Sequence, residues 1–297
     1  MSLPARFRRT TLLIVGCGDV GLRVVGQLPS RVRVLALTSS PLRVEALRAA
    51  GVVPLSGDLD RPQTLSRLAG LADRVLHLAP PAALGDRDAR TGALLAALSR
   101  RSRQRCIVYA STSGIYGDAD GARFDETRTP APATDRARRR VDAEARLRWY
   151  GRAFAVRTSV LRVPGIYAFD RDSGDPRERV ARGVPVLVRD DDVFTNHIHA
   201  DDLARACIAA LWRGRPQRAV HASDDNDLRM ADWFDRVADL AGLPRPPSLT
   251  RDEARQRMSA VQMSFLSESR RLDNRRLMRE LRVRLRYPTI DTAFAAG

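Results

Sequence analysis

The chain reads as an α/β protein built on a doubly wound parallel sheet, with a small, mostly helical C-terminal lobe. Three observations predict it. The first half alternates strand and helix patterns with short joints, which forces right-handed βαβ crossovers and a parallel sheet. The apolar run Leu12-Leu13-Ile14-Val15 feeds directly into Gly16-Cys17-Gly18-Asp19-Val20-Gly21, and a helical pattern starts at once with Leu22, Val25 and Leu28. The character of the chain then changes after a sixth strand, where irregular and helical segments take over.

The G-x-G-x-x-G turn sits where a dinucleotide site needs it, after a strand and before a helix. Gly16 allows the tight turn, Gly18 lets a pyrophosphate approach the backbone, and Gly21 lets the helix pack close to the strand. The helix N-terminus then offers free N–H groups to phosphate.

The remaining elements follow in order. Residues 31–38 alternate and read as a second strand. Residues 41–50 are helical, with Leu42 and Leu47 on one face and Gly51 as the stop. Residues 52–55 form a third strand. Residues 60–71 are helical, opened by Asp60 as a cap with Pro62 near the first turn. Residues 75–78 are a fourth strand, 90–102 a helix with Leu94, Leu95 and Leu98 inward, and 106–110 a fifth strand. A polar stretch, 117–134, precedes a long helix at 135–150, and 154–161 is the sixth strand. A helix at 201–212 and a brief strand at 219–222 follow. Beyond Asn226 the pattern is helical, clearest at 230–240 and 274–281. The expected division is a dinucleotide-binding domain at 1–165, rejoined by 193–225, and a substrate lobe from 166–192 and 226–297. The default ligand site is a cleft at the carboxyl ends of the strands.

Bulk properties narrow the classes. With 297 residues and 44% apolar content, the chain is long enough for a large core and too apolar for disorder. No apolar run reaches the roughly 18 residues of a membrane span. The basic segment 1–10 has too short an apolar run after it for a signal peptide. The three cysteines, Cys17, Cys106 and Cys207, are dispersed and carry neither disulfide nor zinc spacing, so a reducing cytoplasm is the expected compartment. The formal charge is +16, and all 51 basic residues are arginine. That total bias against lysine reads as a composition effect. The densest cluster, residues 136–140, lacks stacking aromatics, so nucleic acid is not the expected partner and small anions are.

Three constellations carry chemistry. No acid closes the second strand to hold an NAD ribose. Thr38-Ser39-Ser40-Pro41 stands there, with Arg43 in the following turn. Two hydroxyls and a guanidinium favour the 2′-phosphate of NADP over NAD, against the plainer reading of Ser40 as a cap. Asp58, in Gly57-Asp58-Leu59-Asp60, is placed either to accept from an adenine amino group or simply to build a turn. Ser111-Thr112-Ser113-Gly114-Ile115-Tyr116-Gly117 ends the fifth strand with three hydroxyls suited to a substrate oxygen.

With these motifs in order, the chain resembles an extended, or atypical, short-chain dehydrogenase/reductase of the NAD-dependent epimerase/dehydratase family. The resemblance rests also on His77-Leu78-Ala79-Pro80-Pro81, Leu161-Arg162-Val163-Pro164-Gly165-Ile166-Tyr167 and residues 196–204, and it covers nearly the whole chain. It implies a seven-stranded Rossmann-type sheet, the Ala79-Pro80-Pro81 backbone near the nicotinamide ribose, Pro164-Gly165 against the nicotinamide, and Thr112 on the substrate oxygen. It implies a small-molecule substrate, and pairing of family members through the long helix, where burying Arg138-Arg139-Arg140 would be costly.

One family feature is missing. The proton-transferring Tyr and its Lys, four residues apart on the long helix, fall at Arg136 and Arg140, counted from the helix glutamate Glu144. Arg140 keeps a positive charge; Arg136 cannot transfer a proton near neutrality. Tyr116 is the nearest stand-in phenol, although a packing tyrosine is also usual there. Thr112, Ser113, Tyr116 and Arg140 are therefore the candidate catalytic set. His197-Ile198-His199 with Asp201-Asp202 has a metal-like spacing, but a strand end followed by a helix cap explains it, and no metal site is expected. Cys17 reads as a small filler unless its helix position lowers its pKa. Two functions follow: an NADP-binding oxidoreductase-type enzyme acting on a carbonyl, hydroxyl or nucleotide-sugar-like substrate, or a non-catalytic NAD(P)-binding sensor or partner-binding protein.

Overall fold

A computed structural model describes residues 9–296. The basic segment 1–8 and the last residue of the expected substrate lobe, Gly297, lie outside the described residues. In chain order the elements are β1 (Thr11–Val15), α1 (Asp19–Gln27), β2 (Arg33–Thr38), α2 (Val44–Ala49), β3 (Val53–Ser56), β4 (Arg74–His77), α3 (Ala89–Ser99), β5 (Cys106–Thr112), β6 (Arg123–Phe124), α4 (Asp135–Ala153), β7 (Arg157–Val163), β8 (Gly165–Tyr167), α5 (Pro176–Ala181), β9 (Val186–Leu187), β10 (His197–His199), α6 (Ala200–Arg213), β11 (Arg218–His221), α7 (Met230–Ala241), β12 (Ser248–Leu249), α8 (Arg251–Arg257), α9 (Ala260–Leu266), β13 (Arg271–Leu272), α10 (Arg275–Arg279) and α11 (Ile290–Ala296).

The predicted α/β class stands. Seven parallel strands form one sheet in the order β3-β2-β1-β4-β5-β7-β11, with the order reversing beside β1. Ligands of such sheets bind outside the carboxyl ends at that reversal. The strands nearest the centre are buried on both faces, which is why β1 and β5 read as nearly unbroken apolar runs.

Contacts divide the described chain into two units, one of residues 9–112, 134–162 and 204–220, the other of 113–133, 163–203 and 221–296. The first has a core of Leu13, Val15, Leu35, Leu37, Val75, Ile107 and Tyr109 from the sheet, closed by Leu94 and Leu98 of α3 and Leu147 and Tyr150 of α4. The second packs Tyr167, Val186 and Leu187 against Trp233, Phe234 and Val237 of α7, with Ile290 and Ala293 of α11.

Several expectations are corrected. The helix expected over 60–71 is a 3-10 segment at Pro62–Leu68, and Asp60 does not cap it. Its carboxylate instead takes a two-pronged bond from Arg90, at 2.7 and 2.6 Å. The helix expected over 41–50 begins as a 3-10 turn, Pro41–Arg43, before α2. The sixth strand starts three residues late, at Arg157, because α4 runs on to Ala153 and Ala155 turns the chain at φ +53°. Ser111 and Thr112 belong to β5 itself. The second unit is less purely helical than expected: β8 with β10, β9 with β12, and β6 with β13 form three short parallel ladders.

Asp202, expected near the start of α6, is fully buried. Its carboxylate accepts the backbone N–H groups of Arg286 and Tyr287 at 2.8–2.9 Å. It thereby ties the segment before α11 to the start of α6. In the first unit Glu144 and Arg162 form a buried ion pair, with Nη2 to Oε2 at 2.9 Å. Arg148 reaches the same carboxylate at 3.1 Å.

Candidate dinucleotide site

The site is built first from the end of β1. Gly16 has φ +85°, and a Cβ there would lie 2.4 Å from Ala79 N and 2.6 Å from Ala79 Cα. Leu78 N and Ala79 N both donate to Val15 O, at 2.8 and 2.9 Å, which draws the loop after β4 against the glycine turn. Gly16 thus permits both the turn and this close approach. Gly21 packs on Cys17 Sγ and Ile14.

Gly18 differs, since a Cβ there would meet nothing within 4 Å. Gly18 is also the N-cap of α1, and no side chain caps the helix. Open space in front of a helix N-terminus that no side chain caps fits the pyrophosphate of a dinucleotide. Asp19 does not occupy this end electrostatically unopposed, because Arg23 holds it at 2.9 Å. Cys17 is buried, and burial pushes its thiol up to about 11, opposed by Arg43. The thiol is a filler and not a nucleophile.

At the end of β2, Thr38 Oγ1 accepts from Ser40 N at 3.2 Å. Ser40 occupies the N-cap position but makes no side-chain cap bond, and Ser39 is exposed. Arg43 reaches back 26 residues to donate from Nη2 to Cys17 O at 2.8 Å. A guanidinium is thereby anchored between the glycine turn and the end of β2. Asp58 Oδ1 accepts from Asp60 N at 3.0 Å, with Leu59 half-buried beside it.

Arg90 was not singled out by sequence. It holds Asp60 with both prongs and donates to Pro80 O at 3.2 Å. It braces the loop after β3 against Ala79-Pro80-Pro81. Only its position in the first turn of α3 hinted at this.

At the carboxyl end of β5, Thr112 is half-buried and Ser111 and Ser113 are buried. Ser111 Oγ is buried without a hydrogen-bond partner. Arg140 of α4 donates from Nη1 to Tyr109 Oη at 2.9 Å and to Ala110 O at 2.8 Å. A permanent positive charge therefore stands behind the hydroxyl-bearing strand end. Burial pushes the Tyr109 phenol up to about 12 despite that guanidinium. His77 lies beside Tyr109 and pairs with Thr91 Oγ1 at 2.9 Å, which donates onward to Asp88 at 2.6 Å. The neighbours of Arg140 have their own roles. Arg138 pairs with Asp135 at 2.6 Å, and Arg139 is buried on Gly85 O.

In the second unit Tyr116 is fully buried, with its hydroxyl 2.7 Å from His221 Nε2, so its candidacy as proton donor is corrected to packing. Gly165 is exposed beside a half-buried Pro164, and a Cβ at Gly165 would press on His197. His197 is buried and stacked on Trp233 at 3.9 Å, and His199 Nδ1 accepts from Asp201 N at 3.2 Å. The alternation of the two histidines thus serves packing on Tyr167. Among the described residues no group of three or more His, Cys, Asp or Glu side chains is arranged to hold a metal ion. None of the described helices is long and apolar enough to cross a membrane.

The glycine turn, the sheet order and the hydroxyl loop together define a nucleotide-binding α/β protein, and comparison with known proteins sharpens that class. Residues 13–222 match the NAD dependent epimerase/dehydratase family, and the chain belongs to it. A conserved protein of unknown function from Silicibacter pomeroyi is similar over 97% of both chains, with 29% identity and a TM-score of 0.80. UDP-glucose 4-epimerase from Thermotoga maritima, solved with UDP-glucose, shares the fold at 18% identity and a TM-score of 0.78, over 96% of each chain. A double mutant of dTDP-glucose 4,6-dehydratase from Streptomyces venezuelae, solved with NAD bound, shares it at 19% identity and a TM-score of 0.75, over 95% of this chain and 94% of that one. No curated protein matches the sequence.

Proposed function

We propose that this chain is an NADP-binding oxidoreductase-type enzyme acting on the carbonyl or hydroxyl carbon of a small, nucleotide-sugar-like substrate. The observation that carries the reading is the open space at Gly18, in front of an uncapped helix, with Arg43 anchored on the same turn. Gly16 to Gly21, with Cys17, Asp19 and Val20, would receive the pyrophosphate. Ser39, Ser40 and Arg43 would face the adenosine 2′-phosphate, Asp58 and Leu59 the adenine, Ala79 to Pro81 the nicotinamide ribose, and Pro164 with Gly165 the nicotinamide. The bound cofactor supplies hydride chemistry at its nicotinamide C4. Thr112 and Ser113 would hold the substrate oxygen, and Arg140 would contribute fixed positive charge that favours a developing alkoxide.

A second reading, a dinucleotide-binding sensor, is favoured by one specific finding. Arginine occupies the two positions where the family resemblance puts the proton-transferring pair, and the Tyr116 phenol is buried on His221.

Turnover separates the two. NADPH oxidation against a panel of carbonyl compounds and nucleotide sugars is expected to yield a substrate, and Thr112→Ala to lower kcat/KM about 100-fold. Undiminished turnover in Thr112→Ala would remove that residue from the site. Saturable NADPH binding with no turnover across the panel would establish the sensor.

A further inference from the structure

In a parallel sheet every strand begins at the same edge, and the connections entering the strands share one pole, opposite the glycine turn. In the first unit these connections are residues 28–33, 48–53, 67–74, 99–106, 151–157 and 212–218. They contain 14 arginines and a single carboxylate, Asp73. The arginines that look scattered along the sequence are gathered here by topology. The described residues of the first unit hold 28 arginines against 10 carboxylates, and those of the second 21 against 25. A composition bias explains arginine in place of lysine. It does not explain the exclusion of acids from one pole.

The strand mouths are stitched side by side. Arg33 N donates to Thr10 O at 2.9 Å, Asp73 N to Thr11 O at 2.9 Å, Arg105 N to Asp73 O at 2.7 Å, and Arg157 N to Arg105 O at 3.2 Å. Sheet order then sets Arg33, Arg9, Arg74, Arg105, Arg157 and Arg218 at the mouths of six adjacent strands. At about 4.8 Å per strand the row spans about 24 Å.

Part of this charge serves the fold. Arg74 and Arg157 both donate to Leu211 O near the end of α6, Arg157 at 2.6 Å, and answer that helix's negative end. Arg103 faces Asp73 at 3.6 Å. Arg31, Arg33, Arg100, Arg105 and Arg152 are exposed, and no ion pair reaches them among the described residues. Five unpaired guanidinium groups exceed what capping requires.

We propose that this pole docks the sugar–phosphate backbone of a nucleic acid, without reading its bases. Guanidinium forks match phosphate oxygens. A row of charge suits a linear polyanion better than the plane of a lipid surface. The exposed large apolar side chains here, Val53, Leu71 and Trp212, belong to three separate connections, and Trp212 lies beneath the Arg74 guanidinium at 4.7 Å. This inference is independent of the cofactor reading.

The test is binding of a random-sequence 20-base-pair DNA duplex to the full chain at several salt concentrations. Five phosphate contacts predict a log–log salt slope near about −4.5, a loss of about 500-fold between 50 and 200 mM. The triple variant Arg33→Gln, Arg105→Gln, Arg152→Gln is expected to bind at least 10-fold more weakly at 50 mM. Its slope should fall to about −2. The corresponding triple Lys variant is expected to retain most of the binding, and the melting temperature and NADPH affinity of both to stay unchanged. Salt-insensitive binding, or a Gln variant equal to wild type, would overturn the proposal. So would retention on phosphatidylglycerol vesicles that the duplex does not displace.

Discussion

Gly16→Ala is expected to destabilise the protein by about 3 kcal/mol, the left-handed backbone and the overpacked contact adding together. The added Cβ would lie 2.4 Å from Ala79 N, a backbone atom held by Val15 O and unable to swing aside. Relief would require the loop after β4 to part from the end of β1, which would also disorder Ala79 to Pro81. Urea unfolding measures the loss. A change under about 0.5 kcal/mol would mean that the turn and the loop are not locked together as described.

The second large effect is on acid stability. Burial, with the charge of Arg140 second, pushes His77 down to about 3 from its ordinary 6.5. Burial, with Arg179 second, does the same to His197. Both imidazoles are neutral in the folded chain and take up protons more readily when it unfolds. Their stabilising contribution is therefore complete above pH 6.5 and is lost as the pH falls from 6.5 towards 3. By linkage each costs about 2 kcal/mol at pH 5 relative to pH 8. Carboxylates add their own acid sensitivity, so the readout is a difference in slope. The pH 5 to pH 8 change in unfolding free energy is expected to shrink by about 2 kcal/mol in His77→Gln. An identical pH dependence in the variant would show that His77 is not buried neutral.

The sequence carried the architecture because the sheet is written in local signals. Leu12 to Val15 is apolar on every residue, as a strand buried on both faces must be, and Gly16 to Gly21 marks its exit. Local signals failed where one residue overrode them. Phe154 and Ala155 fit a strand by composition, yet the helix end and the left-handed Ala155 delay β7 to Arg157. Asp60 has a cap's identity but is taken by Arg90, a partner 30 residues away. The ladders of the second unit are two or three residues per strand, too short to show a period of two. In the candidate site, the junction of β1, the glycine turn and α1 was legible. Arg90, and the Arg140–Tyr109 contact, were not, because long-range partners leave no spacing to read. The basic pole was hidden for the same reason: its arginines are far apart in sequence, and only the strand order brings them together.

Arg136 and Arg140 stand where the family resemblance puts the proton-transferring pair. We propose that the glycine turn takes a nicotinamide dinucleotide, with Arg43 choosing the phosphorylated form. Titration with NADPH and NADH, on wild type and on Gly18→Leu and Arg43→Ala, tests it most directly. Gly18 has φ −85° and open space before it, so leucine there is expected to leave the melting temperature unchanged while filling the pyrophosphate position. One saturable site that prefers NADPH is expected in the wild type. Loss of both ligands is expected in Gly18→Leu, and NADPH affinity weakened about 10- to 100-fold in Arg43→Ala with NADH little changed. Equal affinity for the two cofactors would contradict the role of Arg43. Wild-type protein that binds neither, or Gly18→Leu that binds as well as wild type, would contradict the site itself.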